Sequence, residues 1–357
     1  MSLYFVLYAL VFAAASLSLL LKHSEVLDLY VAAVYAMMTA MVCFRFGQGT
    51  DYFSYRAIFY AVSSFDRIVG YTHGEPLYLF LCYIFNLLGG FELFVFCISL
   101  AEMLMIWSFL RRNSANRAVS LLIFISVTYI IYFYNLMRQG LAMSIFMCYG
   151  TKYIQRREWN KYIMTCIVTT MIHTVSAIYF FVPMVLKFRT GSVIRGGGLS
   201  IILGIIITPL LAGTVRHVGS YNTRYIAATE RLLSFIVINV VYHSIYKEKG
   251  GAWWMKLYCF GTGLYFMFLS SSLVASRLAA CFKALEMIIV PELMKHKSRY
   301  RVLFIIYFFA LSAVMFTHSL LGEAENGGYI SRNPLNIPYV SIFNAQDIYN
   351  YRVNAPQ

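Results

Sequence analysis

The chain has 357 residues, of which 60% are hydrophobic, 17% are aromatic and only 12% are charged. A mean hydropathy of +0.68 excludes an ordinary soluble domain and indicates an integral membrane protein. The formal net charge of +14 is carried by loops between apolar stretches. In a membrane protein such charge determines orientation, so we expect no nucleic-acid partner.

Apolar stretches long enough to cross a bilayer recur from residue 3 to residue 316. They are continuous and do not alternate with polar residues, which favours helices over the strands of a membrane barrel. The sequence predicts an all-α polytopic membrane protein with roughly 11–14 membrane segments, including short or re-entrant helices. We expect a single transmembrane domain over residues 1–321 and a polar extracytoplasmic tail over residues 322–357.

Basic residues fall in five groups, and an excess of Lys and Arg marks cytoplasmic loops. These groups lie at 111–117, 152–161, 187–195, 247–256 and 295–301. The turns between them then face outward. For the N-terminal third we favour an outward loop at 45–75 followed by a re-entrant or interfacial stretch at 77–87. A full crossing by that stretch would instead make the loop cytoplasmic.

Polar residues interrupt the apolar stretches near the predicted outer face. Ionisable groups are costly in hydrocarbon, so they are usually turned toward partners, a cavity or a substrate. The residues of interest are Asp51, Tyr52, Glu75, Arg138, Gln139, His173, Arg224 and Arg277. The stretches 141–150 and 178–186 have barely half the length of a normal span, which is typical of broken helices around a polar cavity.

Each of these residues also has an ordinary explanation. Arg138 and Arg277 could extend their charges to lipid headgroups. His173 could hydrogen-bond a neighbouring helix, Asp51 could cap the helix that follows it, and Glu75 could be a helix-start acid. Their convergence on one face nevertheless favours a binding cavity. Because guanidinium groups match phosphate oxygens in pairs, such a cavity suits a phosphorylated lipid or a pyrophosphate.

The sequence predicts neither a metal site nor a bound cofactor. All seven cysteines lie inside apolar runs without paired spacing, and the chain has no HExxH or Asp-rich cluster. It also lacks a GxGxxG or a Walker-type loop, and we interpret the glycines at 196–198 as a flexible turn.

Five short motifs recur in a characteristic order. They are Gly49-Thr50-Asp51-Tyr52, Glu75-Pro76-Leu77-Tyr78, Met137-Arg138-Gln139-Gly140, His173-Thr174-Val175-Ser176 and Ser276-Arg277, followed by a tail at 333–343. This order and spacing resemble the EpsG family of Wzy-like exopolysaccharide and O-antigen polymerases over nearly the whole chain. One departure is the run at 279–282, where that family tends to carry aromatic residues after the late arginine.

The resemblance implies a GT-C-like membrane glycosyltransferase without a metal, in the bacterial cytoplasmic membrane, with its active site facing outward. It would transfer a glycan from undecaprenyl pyrophosphate to a sugar hydroxyl on an incoming lipid-linked oligosaccharide. The pyrophosphate lipid would be the leaving group. Membrane lipids and a chain-length regulator are the other partners that this implies.

The resemblance and the residue chemistry together suggest roles. Histidine titrates near neutral pH, so His173 is the candidate general base, with Asp51 as its rival. Arg138 and Arg277, with Arg224 as a weaker third, are expected to neutralise the departing pyrophosphate.

Gln139, Glu75 and Tyr52 are expected to hold sugar hydroxyls or to orient the charged residues. Two other classes remain open. A transporter or flippase of lipid-linked glycans would also have broken helices and buried charge, but internal repeats are expected there. A membrane O-acyltransferase would also place a histidine in an intramembrane pocket, although with an acyl-donor path from the cytoplasm.

The topology can be tested by labelling introduced cysteines in intact cells with a membrane-impermeant maleimide. We expect Leu335→Cys to react and Ser114→Cys to react only after the membrane is permeabilised, because basic loops stay inside. Reaction at position 114 but not at position 335 would reverse the orientation.

Overall fold

The computed structural model describes residues 3–21, 25–49, 51–64, 66, 74–212, 221–246, 252–321 and 339–344. Within these ranges, seven helices are long and apolar enough to span a membrane: Leu3–Leu20, Glu25–Cys43, Phe91–Asn113, Arg117–Asn135, Thr190–Thr208, Ile226–Tyr246 and Arg301–Leu320. Pro76–Leu88 and Thr174–Lys187 are shorter apolar helices. The predicted all-α polytopic class is confirmed, and the predicted number of segments stays a prediction.

The chain divides into two compact units. The first consists of Met1–Arg112, Arg117–Ala177 and Ala313–Gln357, and the second of Asn113–Asn116 and Ile178–Ser312. The α-helices that begin before residue 177 are α1 (Leu3–Leu20), α2 (Glu25–Cys43), α3 (Tyr52–Ala61), α4 (Pro76–Leu88), α5 (Phe91–Asn113), α6 (Arg117–Phe124), α7 (Met137–Ile145), α8 (Thr151–Arg156) and α9 (Trp159–Ile172). Those that follow are α10 (Val182–Lys187), α11 (Thr190–Ala212), α12 (Tyr221–Tyr246), α13 (Trp253–Met267), α14 (Ser272–Ala284), α15 (Glu286–Lys295) and α16 (Arg301–Leu321).

Helices in the middle of the first unit include π-helical segments. α6 continues into the π-helix Ile125–Asn135. The helical conformation is then interrupted at Leu136 before α7 begins. α7 passes through a second π-helical segment, Phe146–Gly150, and joins α8 without a break. The short span predicted at 141–150 is therefore wrong. It is the apolar middle of a longer helix that polar residues extend at both ends.

An aromatic core joins α3, α4 and α5 in the first unit. The ring of Tyr78 lies 6.0 Å from that of Tyr55 and 5.8 Å from that of Phe94. Phe59 adds a contact to Phe94 at 5.4 Å, and the amide of Asn86 donates to the Phe59 carbonyl at 2.7 Å. Rings packed in this way contribute both buried area and preferred orientation. The core therefore fixes α4 beside α3.

The last described segment, residues 339–344, pairs with the residues that follow α2. The amide of Phe46 donates to the Val340 carbonyl at 3.0 Å, and the amide of Ile342 donates to the Phe44 carbonyl at 3.0 Å. This part of the predicted tail is thus held against the membrane domain by backbone hydrogen bonds.

Helices α1 and α16 are also in contact within this unit. Tyr8 of α1 stacks on Phe316 of α16 with ring centroids 4.5 Å apart. Tyr4, one turn earlier in α1, donates to Gln48 Oε1 at 3.1 Å, and its ring meets that of Tyr339 edge-on. Segments from early and late in the described part of the chain therefore pack together in this unit.

In the second unit, glycines allow α11 to approach α13 closely. A Cβ atom at Gly197 would lie 3.0 Å from the carbonyl oxygen of Cys259, and one at Gly204 would overlap the carbonyl of Phe266. Small residues permit such close backbone approach between membrane helices. The flexible turn predicted at 196–198 is wrong, because these glycines lie inside α11, where one of them serves helix packing.

Gly204→Ala should destabilise the protein by about 1–3 kcal/mol, because the added methyl group forces the two helices apart. Gly198→Ala is the matched control in the same helix, since a Cβ there meets nothing within 4 Å. Thermal unfolding in detergent measures both. Equal melting temperatures for the two variants would contradict the close approach.

Candidate functional site

Glu75 lies immediately before α4, with φ −77° and ψ 146°. The following residue, Pro76, excludes the helical conformation at this position, so Glu75 stays extended and outside the helix. Pro76 itself is the first helical residue, where a missing N–H costs nothing. The proline that follows Glu75 therefore places the carboxylate at the N-terminal end of α4 and not along its side.

The Glu75 carboxylate binds residues from two other parts of the first unit. Its Oε2 accepts a hydrogen bond from Arg138 Nη1 at 2.6 Å. Its Oε1 lies 3.1 Å from His173 Nδ1 and accepts from the backbone N–H of Thr174 at 3.0 Å. The Thr174 hydroxyl lies 3.3 Å from the same oxygen. We call Glu75, Arg138, His173 and Thr174 the Glu75 cluster.

The surroundings of Glu75 keep it ionised. Burial by itself would raise the pKa of the carboxyl, but hydrogen bonds from His173 and Thr174 and the charge of Arg138 outweigh it and lower the pKa to about 2. The side chain is 13% exposed, so these partners act with little screening. An ionised carboxylate only accepts hydrogen bonds, so the imidazole nitrogen that faces it, Nδ1, is the one that carries a proton.

His173 is positioned by the end of a helix. α9 stops at Ile172, His173 is extended (φ −152°, ψ 113°), and a 3₁₀ segment starts at Thr174. The other ring nitrogen, Nε2, is buried and has no hydrogen-bond partner within the described part of the chain. In the neutral form of an imidazole whose Nδ1 is protonated, Nε2 carries the lone pair. This arrangement can accept a proton from a hydroxyl group brought to Nε2.

Arg138 lies in the first turn of α7, directly after the break at Leu136. Its guanidinium carbon is 5.7 Å from the ring centroids of both Tyr55 and Tyr78, within the range of cation–π attraction. The side chain keeps 24% of its surface exposed while Nη1 binds Glu75. The aromatic core thus fixes the guanidinium, and the arginine does not simply extend to a headgroup.

Asp51 directly precedes α3, and its carbonyl accepts from the Tyr55 N–H at 2.9 Å. Its side chain makes no capping hydrogen bond, so the capping explanation is not borne out in this structure. Burial raises the pKa of the Tyr55 hydroxyl, Arg138 opposes that rise, and the charge of Asp51 adds to it. The charges of Asp51 and Arg138 therefore act on the Tyr55 hydroxyl in opposite directions.

Two predicted sugar ligands lie in the interior of the first unit. Gln139 is 5% exposed, and Tyr52 is 1% exposed. The Tyr52 ring packs against those of Phe46 and Phe91 at 5.9 and 5.2 Å. A direct contact between either residue and a sugar stays a prediction.

The other two arginines belong to the second unit. Arg277 lies half-buried in α14. Arg224 lies in the first turn of α12, and its side chain is outside the described part of the structure. Their predicted role in binding pyrophosphate stays a prediction.

Sequence reasoning missed a buried ionic cluster in the second unit. Lys283 of α14 donates to Glu230 of α12 and to Glu286 Oε1 of α15, the latter at 2.7 Å. All three side chains are at most 5% exposed. The indication in the sequence was two ionisable residues three apart within an apolar run. Because Lys283 binds a carboxylate on each of two other helices, the cluster ties three helices together.

The comparison with known families agrees with this picture. A family model described as the EpsG family matches residues 28–340, which is most of the chain. No curated protein and no solved structure is significantly similar to the chain. The match covers Asp51, Glu75, Arg138, His173 and Arg277, and it supports a polysaccharide-polymerase type of function in general.

Removing the Glu75 charge should lower the free energy of unfolding by an amount that depends on pH. The pKa is lower in the folded protein, so ionised Glu75 stabilises the fold above about pH 4.5, and this contribution is lost as the pH falls toward 2. The melting temperature of Glu75→Gln should therefore lie below that of the wild type at pH 5–8, and the gap should narrow on acidification. Glu25→Gln, at an exposed position, should give no such gap. A gap that does not change between pH 6 and pH 3 would contradict the ionised cluster.

Proposed function

The chain belongs to the EpsG family, and we propose that it polymerises undecaprenyl-pyrophosphate-linked oligosaccharide repeats on the outer face of the bacterial cytoplasmic membrane. In the proposed reaction a hydroxyl oxygen of the incoming repeat attacks the anomeric carbon of the growing glycan. The bond from that carbon to the pyrophosphate oxygen breaks, and the pyrophosphate lipid leaves. The hydroxyl proton passes to the enzyme.

The observation that carries this proposal is the pair formed by Glu75 and His173. A carboxylate at Nδ1 holds the imidazole in the tautomer whose Nε2 accepts a proton, and it stabilises the imidazolium that forms. The buried Nε2 is the proposed proton acceptor. Glu75 is then a positioning residue and not a sugar ligand, and Asp51 orients the acceptor.

Arg138 is proposed to stabilise the negative charge that develops on the departing pyrophosphate. One nitrogen of its guanidinium neutralises Glu75, and the side chain retains exposed surface for a second anion. A fixed cation next to developing negative charge lowers the barrier more than a mobile one, because it does not need to reorganise. Binding of the pyrophosphate by Arg277 and Arg224 is a separate part of the proposal.

Elongation of a purified lipid-linked repeat unit by the purified protein tests the proposal. Polymer should form without nucleotide, divalent metal or acyl-CoA, and undecaprenyl pyrophosphate should be released in step with it. Movement of the lipid between the two leaflets of a vesicle membrane, without formation of a glycosidic bond, would instead identify a transporter. Activity that needs acyl-CoA would identify an acyltransferase.

In the same assay His173→Gln should reduce elongation by roughly 10²-fold or more, the usual weight of acid–base catalysis. Asp51→Asn should reduce it less, and His243→Gln, at an exposed position in α12, should have no effect. Near-normal growth with His173→Gln and none with Asp51→Asn would exchange the two roles. A histidine that only ties helices together would then be the better account.

Lysine substitutions separate charge from geometry at the arginines. Lysine keeps the charge but loses the planar fork, so Arg138→Lys and Arg277→Lys should sharply reduce elongation at unchanged protein levels in the membrane. Arg111→Lys, at an exposed position in the last turn of α5, is the control and should do little. Full activity of both substituted enzymes would refute pyrophosphate binding by these side chains.

A further inference from the structure

A groove with a volume of about 490 Å³ lies in the first unit between the helix that ends in α8 and the antiparallel helix α9. The two helices are joined by a tight turn in which Arg157 adopts φ 59°. We call this the Tyr149 groove. Its lining includes Ile145, Tyr149, Tyr153, Lys161, Met164 and Val168.

The groove has two chemically different ends. Toward the turn the lining includes a cation, Lys161, and residues 152–161 carry three further cations and a single carboxylate, Glu158. Lys161 lies at this end, pairs with Glu158 at 2.6 Å and remains 64% exposed. Away from the turn the lining is apolar, with Ile145 and Val168 beside the exposed Met164.

Aromatic side chains lie between these two ends. The rings of Tyr149 and Tyr153 are stacked with centroids 6.4 Å apart, and the Lys161 ammonium lies 5.8 Å from the Tyr153 ring. Tyrosines at the boundary of cationic and apolar surface are typical of the headgroup level of a bilayer. The groove therefore combines a cationic rim, an aromatic shelf and an apolar floor.

From this arrangement we infer that the Tyr149 groove binds one anionic phospholipid. The phosphate lies at the cationic rim near Lys161, and an acyl chain fills the floor along Met164 and Val168. Charge decides the class of lipid, because the single carboxylate leaves three positive charges of the turn uncompensated and a zwitterionic headgroup would not compensate them. The turn belongs to a predicted cytoplasmic loop, so this lipid is distinct from the proposed substrate in the outer leaflet.

Native mass spectrometry of the delipidated full-length protein, titrated with phosphatidylglycerol or with phosphatidylcholine, tests the inference. One phosphatidylglycerol should bind more tightly than any further one, and phosphatidylcholine should bind weakly. Lys161→Gln combined with Arg156→Gln should weaken this first site roughly tenfold or more. Val168→Phe should weaken it as well, by filling the floor without changing the charge.

Arg111→Gln combined with Lys295→Gln removes the same charge from exposed positions outside the groove and should leave the first site intact. All variants should remain monodisperse in size-exclusion chromatography, so that lost binding is not lost folding. Equal binding of the two lipids, or equal weakening by the control, would overturn the inference. Unchanged binding by Val168→Phe would likewise reduce the site to surface charge and refute the groove.

Discussion

A carboxylate held ionised beside an apolar interior is the constraint on which the first unit depends. Glu75 can keep its charge only because Arg138, His173 and Thr174 all donate to it or lie at hydrogen-bond distance. Arg138 in turn is tolerated between two tyrosine rings because a carboxylate neutralises it. Removing one member of such a pair leaves the other charge unpaired in a partly buried position, which destabilises the fold. The helices that carry these groups must therefore keep their arrangement.

The same constraint accounts for three interruptions of helical conformation. Pro76 keeps Glu75 extended, Leu136 interrupts the chain before Arg138, and α9 stops at Ile172 so that His173 can turn toward the carboxylate. Regular helices would direct these side chains along their own faces. Three breaks meeting at one carboxylate produce a site that a bundle of unbroken helices would not form.

The sequence was sufficient to find the residues of the site but not their pairing. Polar interruptions in apolar runs identified Glu75, Arg138 and His173, and the order of the motifs agreed with a known family. Glu75 is separated from Arg138 by 63 positions and from His173 by 98, so local spacing carries no information about their contact. The sequence alone leaves Glu75 as either a sugar ligand or a group that orients the charged residues. The structure shows which residues it contacts.

Other features escaped prediction for physical reasons that can be named. The apolar run at 141–150 seemed too short because the polar residues that extend its helix resemble loop residues. The glycines near 197 resembled a turn because their use is a close contact with α13, far along the chain. Lys283 and Glu286 lie in an apolar run, and their partner Glu230 comes from a different helix. For the glycines and the ionic cluster a long-range contact determined the structure, and local spacing does not show such a contact.

The pairing of residues 339–344 with the segment after α2 has a consequence for biosynthesis. Most of the first unit, including every member of the Glu75 cluster, is synthesised and inserted well before its last pieces, α16 and Val340, leave the ribosome. Until then Phe316 is absent from Tyr8, and the backbone groups of Phe44 and Phe46 lack their partners. The early helices are therefore incompletely packed in the membrane until these late segments arrive. A chain that ends before Val340 lacks the backbone pairing after α2 in the same unit as the Glu75 cluster.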